Sequence, residues 1–114
     1  MMIVHCNKTE NGWEGEAIDN GKIAATLKLQ VSGPYVMVHN TVSLWTPKAL
    51  RFYRKVFSLL KKCVKEAGYK FIITADRYNE ELPMKEKYWR LMGFDIFTDT
   101  EFDGQKVRCA GVEV

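Results

Sequence analysis

The chain has 114 residues, 46% of them apolar and 27% charged, with a formal net charge of +3. That composition describes one globular domain spanning residues 1–114 with a single real core, not a disordered chain. No apolar run approaches the ~18 residues that a membrane-spanning helix needs, and Met1–Cys6 lacks the basic segment of a secretory signal.

The elements read as follows along the chain. "MIVHC" is a first strand. "WEGEAI" and "KIAATLKLQV" flank Asp19-Asn20-Gly21, a strong hairpin signal because Asn and Gly both tolerate positive φ. Ser32-Gly33-Pro34 is a second turn. "YVMVHNTVSLW" alternates poorly and is rich in Val, which predicts a buried central strand. Thr46 is then placed to cap a helix whose first position is Pro47, where the missing N–H costs nothing. Leu50, Tyr53, Val56, Phe57, Leu60, Cys63, Val64 and Ala67 recur every three or four residues, the stripe of an amphipathic helix of about six turns. Gly68 stops that helix. "YKFIITAD" predicts a short strand buried on both faces. Pro83 begins a second helix, "PMKEKYWRLM", which Gly93 ends. "FDIFTDTEF" and "QKVRCAGVEV" flank Asp103-Gly104, another two-residue hairpin signal.

The order is therefore hairpin, strand, long helix, strand, short helix, hairpin. It specifies an α/β (α+β) fold: a mixed, mostly antiparallel sheet with a long crossover helix and a short C-terminal helix.

Chemistry-bearing residues are sparse. Cys6, Cys63 and Cys109 are an odd, unspaced set, which reads as reduced thiols in a cytoplasmic compartment. His5 and His39 are too few and too far apart to predict a metal site. Charge is the one uneven feature. Lys48, Arg51, Arg54, Lys55, Lys61, Lys62 and Lys65 face a single acid, Glu66, between Pro47 and Ala67. Seven minus one gives that segment +6, so the rest of the chain carries 3 − 6 = −3. Basic residues at a helix amino end oppose the helix dipole. Three explanations stay open: a solvated polar face, an anion in front of the helix, or a partner docked against it. Nucleic acid is the poorest partner. No second helix forms a helix-turn-helix, most aromatics of this helix fall on the core stripe, and the remaining chain is acidic.

This order, with Tyr88-Trp89-Arg90-Leu91-Met92-Gly93-Phe94 closing the last helix, resembles the GNAT (GCN-related N-acetyltransferase) superfamily over roughly residues 13 to 114. Members commonly end that helix with an aromatic–aromatic–x–x–apolar–Gly–Phe run. The resemblance implies an acetyl-CoA-dependent N-acyltransferase. Its cofactor would lie in a cleft between the central strand and "KFIITAD", with its pyrophosphate at the amino end of the long helix. Val42, Leu44, Lys48 and Arg51 are then the cofactor-binding residues. His39 on the central strand becomes the candidate base and Tyr88 the candidate acid. Glu14, Glu16 and Asp76 are alternative bases.

The chain departs from the family pattern in three places. The loop before the long helix has no glycine, and Pro47 removes an N–H, so phosphate would be held by the side chains of Lys48 and Arg51 rather than by backbone. The position that usually holds the acid is Trp89, with Tyr88 about 100° away around the helix. Only Asn7 to Gly12 separates the first two strands, where the family carries helices that shape the acceptor pocket. These departures are similar to those of phage GNAT-like proteins, including internal virion proteins of podoviruses. They support an alternative: a non-catalytic GNAT-fold phage protein, in a virion or the host cytoplasm, acting through a protein partner or as a homo-oligomer.

Overall fold

The computed structural model describes residues 2–39 and 47–114. Four strands come first: β1 (Met2–Thr9), β2 (Gly12–Asp19), β3 (Lys22–Ser32) and β4 (Tyr35–His39). They are followed by α1 (Pro47–Glu66), β5 (Phe71–Arg77), α2 (Leu82–Met92), β6 (Ile96–Phe102) and β7 (Gln105–Glu113). The sheet runs β1-β2-β3-β4-β5-β7-β6. Every neighbouring pair is antiparallel except β4–β5, which is parallel and bridged by α1. This is the mixed, mostly antiparallel sheet with one crossover helix that the sequence predicts.

The turns follow their chemistry. Asn20 and Gly21 sit at φ 51° and 80°, and Asp103 and Gly104 at 51° and 74°. Both pairs make the tight turns whose twist matches a hairpin. Each helix ends on a left-handed glycine. The Gly68 N–H donates to Lys65 O and the Tyr69 N–H to Val64 O. Gly93 and Phe94 repeat the arrangement on Arg90 and Trp89. Both are Schellman caps, which satisfy carbonyls that the helix leaves orphaned.

Three expectations need correction. The link between the first two strands is itself a hairpin: β1 runs to Thr9 and β2 starts at Gly12, so β1–β4 form one meander. The described part of the central strand alternates cleanly, with Val36 and Val38 buried and Tyr35 and His39 exposed. In β5, Ile72 and Thr74 are buried while Phe71 and Ile73 are half-buried and Ala75 is exposed. One cause explains both strand corrections. Ala17, Leu27, Val36, Ile72 and Ala110 form a core under α1 and α2 on a single sheet face. Among the described residues no helix packs on the other face. The Thr46 cap and the continuation of the central strand lie outside the described residues.

Apolar burial holds α1 in place. Ala49, Tyr53, Val56, Phe57, Leu60 and Val64 are buried, and Phe57 stacks on Phe94 at 5.2 Å. At ~1.5–3 kcal/mol for each large side chain, that face contributes on the order of 10 kcal/mol. Basic residues at the wrong end of a helix cost at most about 1 kcal/mol each, so burial decides where α1 lies. Its close seat over β2 depends on Gly15. A Cβ there would stand 2.7 Å from Val56 Cγ1 and 3.1 Å from Leu60 Cδ1.

Gly15→Ala should therefore push α1 away from β2 and destabilise the fold by about 1–3 kcal/mol, a fall of several degrees in Tm. Gly111→Ala, whose Cβ would meet nothing closer than 3.7 Å, is the control and should cost far less. Thermal unfolding followed by circular dichroism measures both.

Candidate active site

Among the described residues, β4 and β5 pair at Val36–Ile72 and Met37–Ile73. Each strand continues beyond that point against its other neighbour. β4 reaches His39 on β3, and β5 reaches Arg77 on β7. Past Met37 and Ile73, then, the described residues of β4 and β5 no longer pair with each other. Backbone N–H and C=O groups must find partners somewhere, so such a seam suits an extended ligand that carries amides. The divergence is toward the carboxyl ends of two parallel strands, where open α/β sheets bind ligands.

His39 is the last residue of β4 and is exposed on the face away from the helices. Register carries a polar row across that face, with Asn7 beside Glu14, Glu14 beside Lys28 and Lys28 beside His39. A cavity of about 430 Å³ opens beside this row at the β1–β2 turn, where His39, Lys28, Glu14, Glu10 and Asn11 line it together with the core residues Trp13 and Leu29. Of the acids named as alternative bases, Glu16 lies 3.2 Å from His5 and Asp76 is bonded by Lys85. Glu14 lines the cavity and makes no ion pair among the described residues. The β1–β2 turn contributes Glu10 and Asn11 to the cavity, and neither stood out in the sequence. No metal-binding group of three or more ligands occurs among the described residues.

The amino end of α1 has its own geometry. Lys48 Nζ lies 3.1 Å from Asp19 Oδ2 at the end of β2, with the lysine side chain 67% exposed. Part of its charge is therefore already answered within the chain. Arg51, Arg54 and Lys55 are exposed and make no ion pair among the described residues. Arg51 is thus the basic side chain of the first turns best able to meet an external anion. Val42 and Leu44 lie outside the described residues.

Tyr88 and Trp89 are half-buried on α2. Trp89 packs against the core. α2 itself is fixed to β5 and β7 by charge. Arg108 donates from Nε and Nη2 to Glu86 Oε1 at 2.9 and 2.8 Å, and the Arg90 guanidinium stacks 3.9 Å over Phe97. Hydrogen bonding to Asp76 raises the Lys85 ammonium above its usual range. His39 and Tyr88 consequently lie on opposite faces of the sheet, and the described strands and helices do not gather them at one point.

No protein-family model and no curated protein matches this sequence. Solved structures do match its shape. The IAA acetyltransferase from Bacillus cereus is similar over 100% of both chains, at 10% identity and a TM-score of 0.70. A protein assigned as an acetyltransferase of the GNAT family, from Desulfovibrio desulfuricans, is similar over 90% of this chain and 69% of its own, at 9% identity and a TM-score of 0.71. The chain has the GNAT fold. A third GNAT-like match, assigned as a streptothricin acetyltransferase from Bacillus anthracis, was solved in complex with acetyl coenzyme A. It is 14% identical over 93% of this chain, which spans 64% of that protein, with a TM-score of 0.70. In this chain β1 and β2 are joined directly by a two-residue turn, Glu10-Asn11.

The Lys48–Asp19 pair is a surface interaction worth about 0.2–1 kcal/mol. Asp19→Asn should accordingly move Tm by no more than a few degrees, and the change should shrink further in 0.5 M salt, as screened charges require. Unfolding curves at low and high ionic strength test this.

Proposed function

We propose that this protein is an acyl-CoA-dependent N-acyltransferase that takes acetyl-CoA and acylates an amine reached from the open face of the sheet. The observation that carries this reading is the parting of β4 and β5 after Met37 and Ile73 within a GNAT fold. An extended, amide-bearing arm can pair with strand edges that no longer pair with each other. Bound acetyl-CoA would supply an acyl group already activated as a thioester.

The remaining work falls to the chain. Arg51, assisted by Lys48, holds the phosphates through side-chain contacts, because a first turn that contains Pro47 and no glycine is poor in backbone donors. Val42 and Leu44, which lie outside the described residues, are assigned to binding the arm. An acceptor amine arrives as an ammonium in the cavity beside β4, where the carboxylates of Glu10 and Glu14 favour a cation. His39 takes its proton and leaves a lone pair free to attack, a role suited to an imidazole near neutral pH. Tyr88 is the hydroxyl assigned to return a proton to the leaving thiolate, which it would have to reach from the helix side of the parted strands while His39 acts from the other face. With Trp89 in the core, that assignment rests on Tyr88 alone.

Thermal unfolding with and without ~1 mM acetyl-CoA tests the reading. At about 100-fold saturation a bound ligand adds roughly 2.7 kcal/mol, which is several degrees for a domain of this size. The wild type should show that shift, Arg51→Ala should lose most of it, and Lys48→Ala should lose less because of Asp19. His39→Ala should keep the shift but lose acetyl transfer to a panel of amines. No shift in the folded wild type would remove the cofactor and leave the non-catalytic interface reading.

A further inference from the structure

Cys6 and Cys63 are 57 residues apart in sequence, yet their Sγ atoms stand 3.4 Å from each other. The contact follows from the way α1 sits. In β1, Val4 and Cys6 face the helix side, while His5 faces away toward Glu16. Cys6 is the register partner of Gly15, the residue whose missing side chain lets Val56 and Leu60 come down onto the sheet. One turn beyond Leu60, Cys63 meets Cys6. Both thiols are half-buried and free. Cys109 lies on β7, with its register partners Ala75 and Thr98 beside it.

We propose that Cys6 and Cys63 are an oxidisable dithiol, which a peroxide converts to an intramolecular disulfide that ties the edge strand β1 to α1. The sulfurs need to close from 3.4 Å to about 2.05 Å, a movement within reach of side-chain rotation and a small shift of an edge strand. Burial, with Cys63 beside it, pushes the Cys6 thiol up to about 12, so Cys6 is a poor first nucleophile. Cys63 therefore reacts first: its thiolate displaces hydroxide from the peroxide and becomes a sulfenic acid. Cys6 then attacks that sulfur, the S–O bond breaks, and its own proton leaves with the hydroxide as water. Overall two thiols and one hydrogen peroxide give one disulfide and two waters. The peroxide is reduced and the two sulfurs are oxidised.

Such a bond would close a long loop and restrict the unfolded chain, so the oxidised protein should melt several degrees higher. The test treats the native protein with a small excess of hydrogen peroxide, unfolds it in iodoacetamide, and combines intact mass with a peptide map. Alkylated cysteines should fall from three to one, with a linked peptide containing Cys6 and Cys63 and full recovery on adding dithiothreitol. Cys109→Ser should leave this response unchanged, whereas Cys63→Ser should abolish the linked peptide. Three alkylated thiols after a treatment that oxidises a free cysteine peptide would overturn the proposal. So would a linkage through Cys109 or between two chains. If Cys63→Ser does not fold, the wild-type peptide map alone decides.

Discussion

The close approach of α1 to β2 at Gly15 is the constraint on which most of the molecule depends. Val56 and Leu60 occupy the space a side chain at that position would take. Because the helix is drawn down there, its apolar stripe covers β1, β2 and β3 on one face, and Phe57 is presented to Phe94 from the far side of the core. The penalty for basic residues at the helix amino end is small against that burial, and Asp19 offsets part of it. The charged end of α1 is therefore fixed by packing elsewhere, whatever binds in front of it.

Covering one face only has a second effect. The core side of the sheet is dry and satisfied: no buried side-chain polar atom among the described residues lacks a hydrogen-bond partner. The opposite side carries mixed chemistry in register, with Glu14, Lys28 and His39 on three successive strands. Stability and candidate chemistry are thus divided between the two faces, and His39 can be replaced without disturbing the core. Tyr88, on the helix side, does not share that independence.

Much of the fold was legible in the sequence because it is written in local signals. Asn20-Gly21, Asp103-Gly104, Pro47, Gly68 and Gly93 each impose a backbone geometry that few other residues allow. The long helix announces itself by a spacing that survives the exposed Ala67 and misses only Ala49. What was not legible depends on register. Pairing starts from the turn as Asp19–Lys22 and Ile18–Ile23, then slips by one residue at a bulge to Ala17–Ala25. Counting straight back from the turn would set Glu14 opposite Leu27 instead of Lys28, and the polar row beside His39 would vanish. The meeting of Cys6 with Cys63 is hidden for a related reason, since it requires the depth at which a helix settles over a glycine. The expectation of strands buried on both faces failed because Val-rich runs look alike whether one face or two are covered.

The seam between β4 and β5 also bears on how the chain assembles. Strands β1 to β4 are joined by turns of two residues, and their contacts form between near neighbours in sequence. Among the described residues, the link between that meander and the strands β5, β7 and β6 within the sheet is the pairing of Val36 with Ile72 and Met37 with Ile73. Those residues are separated by the entire crossover, so closing them costs more chain entropy than closing any hairpin, and returns two residue pairs among those described. The sheet is in effect two antiparallel halves, each able to form early, with the parallel join expected last. The seam to which the proposed ligand is assigned coincides with the contact that folding has least reason to make first.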